Sequence, residues 1–341
     1  MMQSAIGVER QLPRNTTVAV TFTDTRALHL PQTVPVNTPL PGTYTGLNTG
    51  LRPYGDIGNL FLDESGGRMK QQLMLVNVNS RFSRNVSLQL NYTLNYAQDL
   101  PGTPSNPYDF MQDWGRSPLD RRHRFVLIGS IAAPLGLRLN PFLTVQSGAP
   151  YDITLGRDIF GNTERNARPA FAAGTLLPGE TLVPTALGDF VSYVPGQNVD
   201  LVPRNYLTGA GMVSANLRVG RTFGFGASRA GGNAMAGGGG FGGGGHQHGE
   251  GGGGGMRMAP MGGGHGMMDL GGGSSEHRYT VTLSVMFANI LNHFNPANYM
   301  GVISSPYFLD PRGVNTGFGG GPGGGSTANN RRIEMQLHFT F

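Results

Sequence analysis

The sequence predicts an all-β fold: an antiparallel, up-and-down transmembrane β-barrel sheet, incomplete, with about nine strands of a larger barrel. Three observations predict it. Apolar and polar residues alternate in long runs, charged residues are scarce, and very short turns take turns with long Gly-, Pro- and Asn-rich segments. Charged residues make up 13% of the 341, about half of what soluble globular domains carry.

The strands follow in order as SAIGVER (4–10), TTVAVTFTD (16–24), QQLMLVNVNSRF (71–82), NVSLQLNYTLNY (85–96), RHRFVLIGSIAA (122–133), LRLNPFLTVQSG (137–148), MVSANLRVGRTFGF (212–225), HRYTVTLSVMFAN (277–289) and RIEMQLHFTF (332–341). The alternation is cleanest in the fourth, eighth and ninth. In the ninth, Ile333, Met335, Leu337, Phe339 and Phe341 share one face and Glu334, Gln336, His338 and Thr340 the other. A period of two marks a strand with one apolar and one polar face. Runs of about ten residues suit a tilted strand crossing a bilayer core. No run of about 18 apolar residues is present, so a transmembrane helix is not expected.

Alternation alone would also suit a soluble β-sandwich, and the connections separate the two. Short turns at 11–15, 83–85 and 133–136 join strand pairs, while long loops at 27–69, 98–120, 149–211 and 292–329 join the pairs to one another. That asymmetry is the periplasmic and extracellular pattern of outer-membrane barrels, and it places the four long segments outside the cell. The Gly-rich insertion at 226–276, expected to be disordered, is the exception, since it replaces a turn where all others are short. Its His246, His248 and Glu250, with His265, could be imagined to catch a metal, but a segment so poor in side chains would have to be ordered to do so. The same parity puts residue 1 at the long-loop end. Barrels of one chain have an even strand count, so nine strands lead to the expectation of at least one more upstream, consistent with an opening stretch that lacks a signal-peptide pattern.

Several stretches together resemble the C-terminal barrel region of TonB-dependent outer-membrane receptors, of the carboxypeptidase-regulatory-domain-containing type. They are IGVERQLPRN at the start, DWGRSPLDRRHRFVLIGS (113–130), LRLNPFLTVQSGAPYDITLGRDIFGNTERNARPAF (137–171), FANILNHFNPANY (287–299) and NRRIEMQLHFTF (330–341). The resemblance implies the cell outer membrane and a receptor that imports a scarce ligand, energised through a plug by the TonB energy-transducing complex. Plug, coupling box and the remaining strands lie outside the sequence read here. It also implies a contact with the barrel-assembly machinery through the final strand, for which Ile333, Met335, Leu337, Phe339 and Phe341 form the assembly signal. The alternatives are a non-transporting structural barrel fragment and a soluble secreted β-protein with a glycine linker.

Trp114, Tyr92, Tyr96, Tyr279 and Phe287 are the expected interface girdle, because aromatic rings with one wet edge favour the membrane–water boundary. Arg116, Arg121, Arg122 and Arg124 could meet phosphates of outer-membrane lipid, since guanidinium forks match phosphate oxygens, or could be a solvated rim. Asp158, Asn162, Glu164 and Asn166 offer oxygen atoms, but their spacing does not fit the alternating ligands of a calcium loop, and a turn is expected. The sequence lacks a nucleophile elbow, a zinc-protease helix and a phosphate-binding glycine loop. No enzyme, no cofactor and no nucleic-acid partner is therefore expected, and ligand-binding residues are not legible. The net charge of +5 rests almost wholly on arginine, with Lys70 the single lysine.

Overall fold

The computed structural model describes residues 1–46, 49–228, 277–315 and 330–341. Its main sheet contains nine long strands: β1 (Met2–Leu12), β2 (Thr16–Pro35), β3 (Phe61–Ser83), β4 (Val86–Asp99), β5 (His123–Ala132), β6 (Leu137–Gln146), β7 (Met212–Ser228), β8 (His277–Ala288) and β9 (Arg332–Thr340). All pairs are antiparallel, and the order in the sheet is the order in the chain. The sheet is open, with β1 and β9 at its two edges, as expected for part of a larger barrel. The short turns close with left-handed backbone at Arg14 and Asn15 and at Leu135 and Gly136.

The register carries the two-faced pattern from strand to strand. Val78 lies opposite Val18 and Leu90, Leu90 opposite Leu127, and Leu127 opposite Leu143. Across the second half, Val219 faces Leu139 and Val285, and Val285 faces Met335. Directly opposed residues share a face, so these rows join into one apolar belt. On the other face Asn77 meets Asn91, Thr144 meets Ser214, and Ser284 meets Gln336.

The burial is the reverse of a soluble sandwich. Phe22, Phe223 and Leu337 on the belt are 43%, 36% and 71% exposed, whereas Asn95, Thr144 and Ser284 on the polar face are buried. The largest apolar patch on a soluble monomer is of the order of a few hundred Å², and a belt crossing nine strands needs lipid against it. From Val86 to Tyr96 the alternation runs about 33 Å along β4, or about 25 Å upright at a tilt of about 40°. That is the height of an outer-membrane barrel's apolar band. The soluble secreted reading is set aside on this ground.

Two boundaries differ from expectation. The segment 27–69 is not a loop throughout, because β2 continues to Pro35 and β3 begins at Phe61, so the loop proper is 36–60. The extra length forms a hairpin rising past the belt, and its pairing slips between Leu28 and Leu30 and again between Leu30 and Gln32. Each slip reverses which residues point to which face, so the outer half shows no clean alternation. The other long segments contain short pairings of their own, described next. The stretch 229–276, with His246, His248, Glu250 and His265, lies outside the described residues.

Candidate functional site

The described parts of the four long segments leave the same end of the sheet and fold over it as a cap. Its apolar core holds Ile153, Leu155, Phe160, Phe190, Val191 and Val202, joined by Ile303 from the last long segment. Small sheets support it: Gly188–Ser192 pairs on one side with Thr181–Thr185 and on the other with Ala170–Phe171, and Leu207–Thr208 pairs with Pro150–Tyr151. The hairpin of Pro296–Tyr299 and Pro311–Val314 joins through a bridge between Thr154 and Val302. Loops rich in Pro and Gly can pack this way because their buried backbone groups find side-chain partners.

Arg168 supplies two of those partners, to the carbonyls of Gln112 and Val202. Its side chain is 3% exposed, and it donates to Asp113 Oδ1 (2.7 Å), Gln112 O (2.8 Å), Val202 O (2.7 Å) and Ser105 Oγ (3.2 Å). Asp113, 1% exposed, also accepts from the backbone N–H and hydroxyl of Ser105, each at 2.5 Å. Planar guanidinium geometry allows this many directed bonds from one residue. Arg204 ties the cap to the end of β4 through the carboxylate and carbonyl of Asp99. Arg52 reaches from segment 36–60 to Gly161 O at 2.7 Å.

The run around Asp158 resolves into a turn. Its carboxylate accepts from the backbone N–H groups of Phe160 (3.0 Å), Gly161 (2.7 Å), Asn162 (3.4 Å) and Thr163 (2.7 Å). Donors converge on the oxygens that a cation would need. Asn162 accepts from Glu164 N–H (3.1 Å), and Asn166 donates to Pro104 O (3.2 Å), so both serve the loop's own structure.

Between segments lies a hollow of about 240 Å³, walled by Tyr108, Phe160, Tyr193, Asn106, Gln112 and Asn198. Tyr108 meets Phe160 edge-on at 5.6 Å between centroids and donates its hydroxyl to Pro39 O. Burial pushes the Tyr108 phenol up to about 12, with the charge of Asp158 adding to it. Burial likewise raises Tyr193 to about 12, against the opposing charge of Arg168 and with that of Asp113. Asp152 is raised by burial, a shift limited by the N–H of Asn205 and by Arg204 and Arg168. Apart from the exposed Asp109 at its edge, this wall is one of neutral aromatic rings, aliphatic groups and amides, which suits part of an uncharged, hydroxyl- or amide-bearing ligand.

The residues singled out in the sequence fall in three places. Tyr92 and Tyr96 on β4 and Phe287 on β8 sit on the belt face toward the cap, while Tyr279 sits toward the short turns, opposite Phe225 and stacked on Phe339 at 6.4 Å. Trp114 ends a one-turn helix, Phe110–Asp113, and is half-buried in the cap. Ile333, Met335, Leu337 and Phe339 line the belt face of β9, and Phe341 follows, 87% exposed. Arg116 and Arg122 share the carboxylate of Asp120. Arg124 lies on the polar face opposite Thr93, away from the other two. The hollow's Tyr108, Phe160, Tyr193 and Asn198 were not legible, since they come together only through the cap's tertiary packing.

The family described as "Outer membrane beta barrel domain" matches residues 1–231. The strands β8 and β9 lie beyond that match and continue the same sheet, paired with each other without a slip from Thr280 to Ala288, while β8 slips once against β7 between Phe225 and Ser228. No curated protein matches the chain. Among solved structures, the outer membrane transporter YddB from Escherichia coli aligns with 9% identity and a TM-score of 0.40. The alignment covers 99% of this chain and 31% of that one, so this chain spans about a third of its length.

Proposed function

From the premise that the chain belongs to the outer membrane beta barrel domain family, we propose that it forms the wall and the ligand-capturing cap of a receptor that imports a scarce ligand across the outer membrane. The observation that carries this reading is the ordered cap: a barrel that only filled membrane would have no use for a separate core and a buried ion pair over one mouth. The cap faces outside and the short turns face the periplasm, in keeping with the loop asymmetry of such barrels. A ligand docks first on the cap, against the hollow of Tyr108, Phe160 and Tyr193. Import is energised, as in the TonB-dependent receptors the motifs resemble, by an inner-membrane complex acting through a plug. The barrel-assembly machinery inserts the protein through β9. The chain's role is transport and not catalysis.

The test uses single cysteines in the full-length protein, made practical by the absence of cysteine from this chain. Leu187, exposed at the tip of the cap hairpin, and Arg84, exposed in a short turn, are each replaced. A membrane-impermeant maleimide should label Leu187→Cys on intact cells and Arg84→Cys only after lysis. The reverse pattern overturns the orientation and with it ligand capture from outside. In planar bilayers the full-length protein should stay closed to potassium chloride, and a standing conductance would replace energised import with a passive pore.

A further inference from the structure

Toward the cap, the belt face of the sheet changes from apolar to basic within a few rungs. After Phe22 opposite Met74 come Asp24 opposite Gln72, Arg26 opposite Lys70, and Leu28 opposite Arg68. On β4 the same rows continue with Tyr96 opposite Gln72 and Gln98 opposite Lys70, and Arg116 lies opposite Gln98. These rungs follow directly on Met74 opposite Leu94, inside the belt. The cluster therefore lies on the lipid-facing surface at the level where acyl chains give way to headgroups.

Lys70, Arg116, Arg122, Asp120, Tyr96 and Gln72 line a hollow of about 310 Å³ there. Asp120, its side chain 2% exposed, accepts from Arg116 Nε at 2.7 Å and from an Arg122 terminal nitrogen at 3.0 Å, and also takes the Ala97 N–H at 3.1 Å. One buried carboxylate thus holds two guanidinium groups side by side. Arg122 is further fixed over the ring of Tyr96, 3.8 Å from its centroid, a geometry that stabilises a cation. Arg116 also donates to Thr208 Oγ1 at 2.7 Å. Among the described residues Lys70 has neither an ion-pair nor a hydrogen-bond partner for its ammonium, although it is half-buried. The neighbouring Arg26 and Asp24 neutralise each other at 3.2 Å. Three cations against one carboxylate leave two positive charges lining the hollow, with exposed Arg68 one rung beyond.

We propose that this hollow binds the phosphate of a phosphorylated lipid of the surrounding leaflet, with the acyl chains lying along the apolar rows of Met74 and Leu94. Prefixed guanidinium groups give charge-assisted, directed bonds to phosphate oxygens, and the lysine adds a mobile third cation. The apolar rows directly below distinguish a lipid from a free anion. The inference rests on the belt facing lipid and, for the identity of that lipid, on the orientation proposed above; it is independent of ligand import. With the cap outside, the lipid is a phosphorylated glycolipid of the outer leaflet.

The experiment places the full-length protein in detergent micelles with diphosphoryl lipid A, its dephosphorylated form, or inorganic phosphate, and measures retention by native mass spectrometry. The phosphorylated lipid should be retained preferentially. Lys70→Ala should weaken retention several-fold and the Lys70→Ala, Arg122→Ala pair by about tenfold or more, because each variant removes a charge-assisted bond to the phosphate. Lys70→Arg should keep it. Because the Lys70 ammonium has no partner to lose, Lys70→Ala leaves the fold intact, which heat-modifiable gel mobility verifies. Equal retention of both lipids, retention unchanged in both alanine variants, or full displacement by inorganic phosphate overturns the proposal.

Discussion

Arg168 is the residue on which the cap's order depends most. Its four acceptors come from segments 100–122 and 147–211, so one side chain closes a gap of 55 positions to Asp113. Replacing it with Met would leave a buried carboxylate without its counter-charge and two backbone carbonyls without a donor, a loss of about 3–5 kcal/mol. Arg168→Met should therefore raise amide exchange across residues 150–205 in the full-length protein while leaving β3, β4 and β5 protected. Arg168→Lys should fail to restore it, because an ammonium cannot present the same planar fork. Unchanged exchange in the cap would show that the apolar core alone holds it. Nothing local in NARPAF announces this role: a buried ion pair between distant loops has no period, whereas Tyr92, Tyr96 and Tyr279 could be read because the strand pattern had already fixed their face and height.

At the scale of the strands, the alternation was legible wherever the pleat was regular and failed where it was broken. All nine long strands were visible, but the outer halves of β2 and β3 were hidden by His29 in left-handed backbone, by two register slips, and by Pro31 and Gly66–Gly67. The face assignment itself makes a sharp prediction at β4. Leu90 stands mid-belt between Val78 and Leu127, and its neighbour Asn91 stands on the polar face between Asn77 and Val126. Leu90→Arg places a charge in hydrocarbon and should cost about 2–4 kcal/mol, seen as a lower urea midpoint for folding into lipid vesicles. Asn91→Arg, one residue away, should change the midpoint little. Equal effects would mean that the two faces see the same solvent.

For the whole molecule, the determining fact is the open sheet. Within a bilayer, each backbone N–H or C=O left without a partner costs several kcal/mol, which is why spanning sheets close. The described sheet has β1 and β9 each bonded on one side only. In an antiparallel pair, alternate residues direct their backbone groups toward the partner and the rest point away, so along Ile6–Arg10 and Ile333–Phe339 every second residue faces an empty edge. In the full-length protein both edges should be paired, whether by further strands of the same chain or by another one. Nuclear magnetic resonance couplings across hydrogen bonds would read this directly: every amide from Ile6 to Arg10 and from Ile333 to Phe339 should show an acceptor carbonyl. Couplings at alternate amides only would mean that the edges stay open in the membrane, and the belt would then be the wall of a sheet and not of a closed barrel.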